Sequence, residues 1–322
     1  MKLFPLHLIP NDTKFDFMRL RWVSIILGTV VFVASLGLIV FKSFNFALDF
    51  TGGTAIEVKF EHPQDVEDVR QRLGQAGFDG VQVQSYGSGS ELLIRLQPRE
   101  GQDTTDAENR TAQDIQKAIS VGDNQAIVVR NEFVGPQVGR DLAKNGIYAA
   151  IFVVIGFLIY IGFRFEWKFA IVASVTTLFD VLFVAGWFSL SGMEFDLTIL
   201  AGLLSVMGFS INDTIVVFDR VRENFRSLRG VEPLEIMNRS INQTLSRTII
   251  TSLVFFLSVF ALYLYGGGSL KGFALTQMIG AVIGTISSIF LACPMLTMGF
   301  LKVSKQDLMP KAKDDSILAR RP

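Results

Sequence analysis

The sequence predicts a polytopic α-helical membrane protein of six transmembrane helices, with one α+β domain outside the bilayer between spans one and two. Half of the 322 residues are hydrophobic, 29 of them phenylalanine, and only 19% are charged. Six apolar stretches meet or approach the roughly 20 residues that a helix needs to cross a bilayer. The segment between the first two stretches instead alternates strand-like and helix-like patterns in a polar background.

The stretches are 22–41, 142–163, 169–190, 197–218, 249–265 and 273–301. The fifth is short and can borrow Thr248 and its neighbours, whereas the last is long enough to tilt or to leave the membrane before its end. The first is too long for the apolar core of a signal peptide and lacks a small-residue cleavage pattern after it, so it reads as a retained anchor. Lys14, Arg19 and Arg21 precede it, which places segment 1–21 on the cytoplasmic side. The short loops agree: Arg164 and Lys168 follow span two, several arginines including Arg220, Arg222 and Arg239 follow span four, and Lys302 and Arg320 belong to the tail 302–322. Both termini are therefore expected in the cytoplasm. Between spans four and five, Leu234, Met237, Ile241 and Leu245 mark one helical face, and the segment 219–246 is expected to lie along the inner membrane surface.

Residues 42–141 form the extracytoplasmic domain. TAIEVKF at 54–60 reads as a strand, 64–76 as a helix with Val66, Val69, Leu73 and Ala76 on one face, and 81–86 with 91–96 as two strands joined by a GSGS turn. A loop at 98–106, a helix over 106–120 and a strand over 126–133 complete the order β-α-β-β-α-β, the ferredoxin-like arrangement. Gly52, Gly53, Gly135 and Gly139 flank this domain and offer either hinge freedom or simple turns.

Composition excludes several chemistries. Lys and Arg balance Asp and Glu at 30 each, and no broad basic face indicates nucleic acid. His7 and His62 have no partners at ligand or triad spacing, so neither a metal site nor Ser/His catalysis is expected. No phosphate-binding G-x-x-x-x-G-K-[ST] loop exists, so energy must come from something other than nucleotide bound here. Cys293, the lone cysteine, reads as a small buried hydrophobe.

Ionisable groups within spans are costly and point to function. Asp180 falls in the middle of span three, Asp213 in the last third of span four, and Arg247 at the entrance to span five. By helical rise Asp213 is roughly 8 Å from the cytoplasmic end of its span, and Asp180 roughly 16 Å from that end. Arg247 shares the cytoplasmic side with Asp213, so the two can pair if their helices are neighbours. A nearby guanidinium favours the ionised carboxyl and a dry apolar site the neutral one. Alternation between the two environments would take up and release a proton, and moving one charge through 100 mV is worth about 2.3 kcal/mol. Each residue also has a structural reading. Asp213 is interfacial if span four ends near Ile211, Arg247 can snorkel to lipid, and Asp180 can bond a neighbouring Ser or Thr as glue between helices. An intramembrane aspartyl protease is disfavoured by the unequal depths of the aspartates and by the missing Gly-x-Gly-Asp pattern. Thr276, Gly280, Gly284 and Ser288 form a small-residue stripe in span six that suggests close helix packing.

Three motifs resemble those of a known family. Leu48-Asp49-Phe50-Thr51-Gly52-Gly53 is similar to the signature that SecD and SecF proteins share. The segment 132–139, with Gly135, Pro136 and Gly139, resembles their second signature. The run 208–224, with Asn212 and Asp213, resembles the SecF signature at the end of span four. The order of anchor, domain and five spans matches as well. The chain thus resembles the SecF family, within the resistance-nodulation-division superfamily. That resemblance implies an inner-membrane subunit, not an enzyme and without a cofactor, that uses the proton motive force to assist late protein export. The partners it implies are SecD, the SecYEG translocon with the accessory protein YajC, protons and the exported unfolded polypeptide. It places proton coupling at Asp213 and Arg247, with Asp180 also at a family position. The alternative is half of a proton-coupled small-molecule or lipid exporter, although exporters of that superfamily usually carry two large insertions and twelve spans. A scaffold without transport is a third reading.

Overall fold

The computed structural model describes residues 13–78, 80–86, 90–96, 105–120, 124–228 and 230–304. The GSGS turn and the loop 98–106 fall largely outside these residues, as do His7, Arg320 and most of the tail. The chain divides into two compact units, one from residues 1–45 and 150–322 and the other from 46–149.

The smaller unit carries strands β1 (Gly53–Lys59), β2 (Gln82–Tyr86), β3 (Glu91–Leu96) and β4 (Ile127–Val134), with helices α2 (Val66–Gln75) and α3 (Thr105–Ile119) between them. The elements follow as β-α-β-β-α-β, and the sheet order is β2-β3-β1-β4 with every neighbouring pair antiparallel. Alternation places Ile56 and Val58 of β1 and Leu92 and Ile94 of β3 on one face, where each is at most 1% exposed. Val69 and Leu73 of α2, and Ile115 and Ile119 of α3, cover that face. Asp65 caps α2 by accepting from the Glu67 amide at 2.7 Å.

The larger unit contains α1 (Arg21–Phe41), α5 (Trp167–Ser191), α6 (Leu197–Ser227), α7 (Pro233–Tyr265) and α8 (Gly268–Ser287). Helix α4 (Pro136–Arg164) supplies its last turns to the same unit. All six helices are long and apolar enough to cross a membrane. Helix α6 packs against α5, α7 and α8, and α1 packs on α5. Asp196 caps α6 through the Ile199 amide at 2.7 Å, and α5 ends at Gly192, whose φ of 72° is left-handed and so favours glycine. After α8 the chain widens into a π-helical turn, Ser288–Ala292, just ahead of Pro294. Proline has no amide to donate and its ring crowds the carbonyl four residues back, which accounts for the irregularity.

Segment 219–246 departs from the surface helix expected for it. Its residues extend α6 and α7, which continue unbroken with the spans and run for 31 and 33 residues. Ile236, Met237 and Ile241 are buried against Val217, Phe218, Val221 and Phe225. Asn224 donates to Ser240 and to Gln243, both at 2.8 Å. The amphipathic face thus serves a helix–helix contact. Asn242 exchanges hydrogen bonds with the Phe15 backbone at 3.0 and 2.8 Å, holding the chain before α1 against the start of α7.

The packing of α6 on α8 has a regular register. A Cβ added to Gly202 would lie 2.9 Å from Thr276, one added to Gly280 would collide with Val206, and one added to Gly284 would lie 3.2 Å from Ser210. Contacts between 202 and 276, 206 and 280, and 210 and 284 advance together in steps of four, so the two helices run parallel with matched ridges. The small-residue stripe of span six is the seam of this contact, which only short side chains permit.

Positive backbone angles explain one glycine directly. Gly53 opens β1 at a φ of 121°, where a side chain is strained, and its added Cβ would strike the Leu96 carbonyl. Gly53→Ala is therefore expected to cost roughly 1–3 kcal/mol, read as a lower unfolding midpoint of the purified chain. Gly156→Ala, inside helix α4 where an added Cβ meets nothing within 4 Å, is expected to hold that midpoint or raise it slightly.

Candidate functional site

Two carboxylates are buried inside the helical unit. Asp180 of α5 is 0% exposed and Asp213 of α6 is 4% exposed. A charge in such surroundings needs hydrogen bonds from its neighbours, and in both cases hydroxyl groups supply them.

Ser210, one turn before Asp213 on α6, donates its hydroxyl to Oδ2 of Asp180. Ser287 of α8 also faces this carboxyl, while Oδ1 has no hydrogen bond among the described residues. Asp180 thus ties α5 to α6 and lies near α8, whose close approach to Ser210 depends on the missing side chain of Gly284.

Asp213 receives a hydrogen bond from Ser252 of α7 at 3.2 Å. Beyond Ser252 stands Thr285 of α8, its Oγ1 at 2.7 Å from the Ser252 hydroxyl. Helices α6, α7 and α8 thus meet through one carboxyl and two hydroxyls. The side chains of Asp180 and Asp213 are served by different hydroxyls, and no hydrogen bond joins them among the described residues, unlike a dyad that shares a proton.

Arg247 is on α7, a direct neighbour of α6, yet no ion pair joins it to Asp213 among the described residues. Arg247 is exposed, and its charge acts on the carboxyl over a longer distance. Helical geometry gives the reason: Arg247 and Ser252 are five residues apart, about 140° around the helix, so when Ser252 faces Asp213 the arginine points elsewhere. Asn212, next to Asp213, is exposed.

The remaining motif residues belong to the smaller unit. Leu48–Thr51 forms one helical turn, in which Phe50 packs edge to face on Phe46 at 5.6 Å, Thr51 donates to the Ala47 carbonyl at 3.2 Å and Asp49 is half-buried. Gly52 follows at a φ of 68°. A Cβ on Gly139 would lie 2.9 Å from the Gly52 nitrogen, so the two signature segments touch backbone to backbone. Gly135 has space for a side chain, with the nearest atom at 3.9 Å, and Pro136 is the first residue of α4.

Among the described residues no cluster of three or more His, Cys, Asp or Glu can hold a metal. Cys293 is buried. The partners missed by sequence reasoning are Ser210, Ser252, Thr285 and Ser287, because serine and threonine are ordinary in membrane helices, where they often bond their own backbone.

Membrane-length helices closing around two acids, together with an α+β unit of its own core, define a multi-pass membrane protein with polar chemistry in its interior. Residues 114–301 match the family described as protein export membrane protein SecD/SecF, C-terminal, and residues 37–64 match the SecD/SecF GG motif. The chain is 43% identical to the protein translocase subunit SecF of Escherichia coli O157:H7 over 86% of this chain and 85% of the relative. It is equally similar to that of Vibrio alginolyticus, at 43% over 94% and 95%. The crystal structure of SecDF from Thermus thermophilus, described as a translocon-associated membrane protein, superimposes with a TM-score of 0.78 at 35% identity. That match covers 90% of this chain but 39% of the solved one. A SecDF structure in a super-membrane-facing form gives 0.64 at 36% identity, over 91% of this chain and again 39% of the other. The chain belongs to the SecF family.

Ser210→Ala should leave the Asp180 carboxyl without its donor and cost roughly 1–3 kcal/mol, measurable as a lower unfolding midpoint of the purified protein. Ser258→Ala, whose hydroxyl serves only the Val254 carbonyl of its own helix at 2.9 Å, should change little.

Proposed function

We propose that this protein is the SecF subunit of a SecD–SecF complex that uses the proton motive force to help complete protein export. The complex acts beside the SecYEG translocon, with YajC as an accessory, on polypeptide still unfolded. It sits in the bacterial inner membrane with both termini of this chain in the cytoplasm, and hydrolyses no nucleotide. The similarity to protein translocase subunits SecF supports the translocase assignment. The match of this chain to 39% of a SecDF chain leaves room for a SecD portion supplied separately.

The observation that carries the proton-coupled reading is Asp213, 4% exposed within a membrane-length helix and hydrogen-bonded by Ser252 of the neighbouring helix α7. An acid so placed changes its preferred surroundings when it gains or loses a proton. Arg247 adds a fixed positive charge on the neighbouring helix. A small bias between two packings suffices to drive a cycle, since one charge moved through 100 mV supplies about 2.3 kcal/mol. The single inserted domain and six spans favour this reading over that of an exporter half.

Asp213→Asn, nearly isosteric and unable to ionise, should leave the chain at its normal level and in complex with SecD, yet abolish gradient-dependent export in a translocation assay. Normal export in that variant refutes the assignment. Silent charge-neutralising changes at both Asp213 and Arg247 would point to a scaffold instead.

A further inference from the structure

We propose that Ser252 and Thr285 form a two-hydroxyl chain whose hydrogen-bond direction follows the charge of Asp213 and carries that state into α8. This inference rests on the proton-coupled reading of Asp213 and adds two residues to it.

The argument is a count of hydrogens. Each hydroxyl has one to donate. Thr285 Oγ1 is 2.7 Å from the Ser252 hydroxyl and also 2.7 Å from the Ala281 carbonyl of its own helix, so it can serve only one of them at a time. When Asp213 is ionised, its oxygens only accept. Ser252 must then donate to Oδ2 at 3.2 Å, which leaves its oxygen to accept from Thr285, and Thr285 gives up the Ala281 carbonyl. When the acid is neutral and its proton is on Oδ2, the acid donates to Ser252. Ser252 then passes its own hydrogen to Thr285, and Thr285 returns to the Ala281 carbonyl. Every hydroxyl is satisfied in both states, and the chain reverses as a unit without solvent entering.

The far end of this chain is well placed to matter. Thr285 lies between Gly284, which lets α8 approach Ser210, and the π-helical turn that starts at Ser288. A hydrogen bond gained or lost at the Ala281 carbonyl acts on the helix immediately before its irregular turn, and π-helical turns recur at functional sites. The charged and titratable groups around Asp213 are few. Arg247 stands on α7, Asp180 on α5 is held by Ser210 of α6, and α8 carries only Lys271 near its start, with Cys293 beyond the π-helical turn. The hydroxyl pair is therefore the direct link from the carboxyl to α8.

Thr285→Val keeps the branched shape and removes the hydroxyl, whereas Thr285→Ser keeps the hydroxyl. The test uses the full SecD–SecF complex in proteoliposomes. Infrared difference spectra follow the carboxyl band of protonated Asp213, identified by its loss in Asp213→Asn, and a parallel assay measures gradient-driven export per complex. Thr285→Val should shift the band to higher wavenumber and slow export about tenfold, the upper scale of one lost hydrogen bond between neutral groups. Thr285→Ser should restore both, and Ser252→Ala should reproduce Thr285→Val. An unmoved band in Thr285→Val, or a Thr285→Ser that fails to restore it, overturns the hydroxyl chain while leaving the role of Asp213 intact. A spectrum and export rate unaffected by Asp213→Asn overturn the proton-coupled reading itself.

Discussion

Acids inside an apolar bundle must find hydrogen-bond donors on neighbouring helices, and the arrangement of α5 to α8 follows from that need. Water is scarce there, and an unpaired carboxylate costs several kcal/mol. Asp180 and Asp213 are therefore the points through which the helices are tied. Each is served by a hydroxyl on the next helix, Ser210 for the first and Ser252 for the second. Hydroxyls suit this role better than fixed charges do, because the same group donates to a carboxylate and accepts from an acid.

Such ties hold only at short range, and α8 meets the requirement with glycine. Where α6 presents Val206 and Ser210, α8 presents Gly280 and Gly284. The hydrophobic effect gives little drive for helices to associate within lipid, so contact over a close seam and polar bonds across it take its place. The same seam delivers Thr285 and Ser287 to the two carboxyl sites. Packing and polar chemistry on this helix are consequently one design: a larger residue at Gly284 would push back the hydroxyl of Ser210 that Asp180 uses.

Much of this was legible in the sequence, and the rest was hidden for identifiable reasons. Spans are legible because length and apolarity alone decide whether a segment can cross. Helix ends were less so: α6 continues to Ser227 through polar residues because their apolar neighbours Val221 and Phe225 find partners on α7. The strands and helices of the smaller unit followed from their periods, with ends shifted by a residue or two. Asp180 and Asp213 stood out as charges within apolar runs. Their partners did not, since nothing local separates Ser252, which bonds an acid, from Ser258, which bonds only its own helix. That Arg247 could pair with Asp213 was read from their shared depth, and depth says nothing about which way round the helix a side chain points.

The contact of Gly139 with Gly52 has a mechanical consequence. Strand β1 begins at Gly53 opposite Val134, near the end of β4, and the two strands are antiparallel. The chain therefore enters and leaves the smaller unit at one end of a single ladder. Tension that drew its two connections apart would open this ladder like a zipper, one rung at a time, rather than shear all the rungs together. Zippers yield at low force, and the first rung to feel the load would be the one that these glycines clasp.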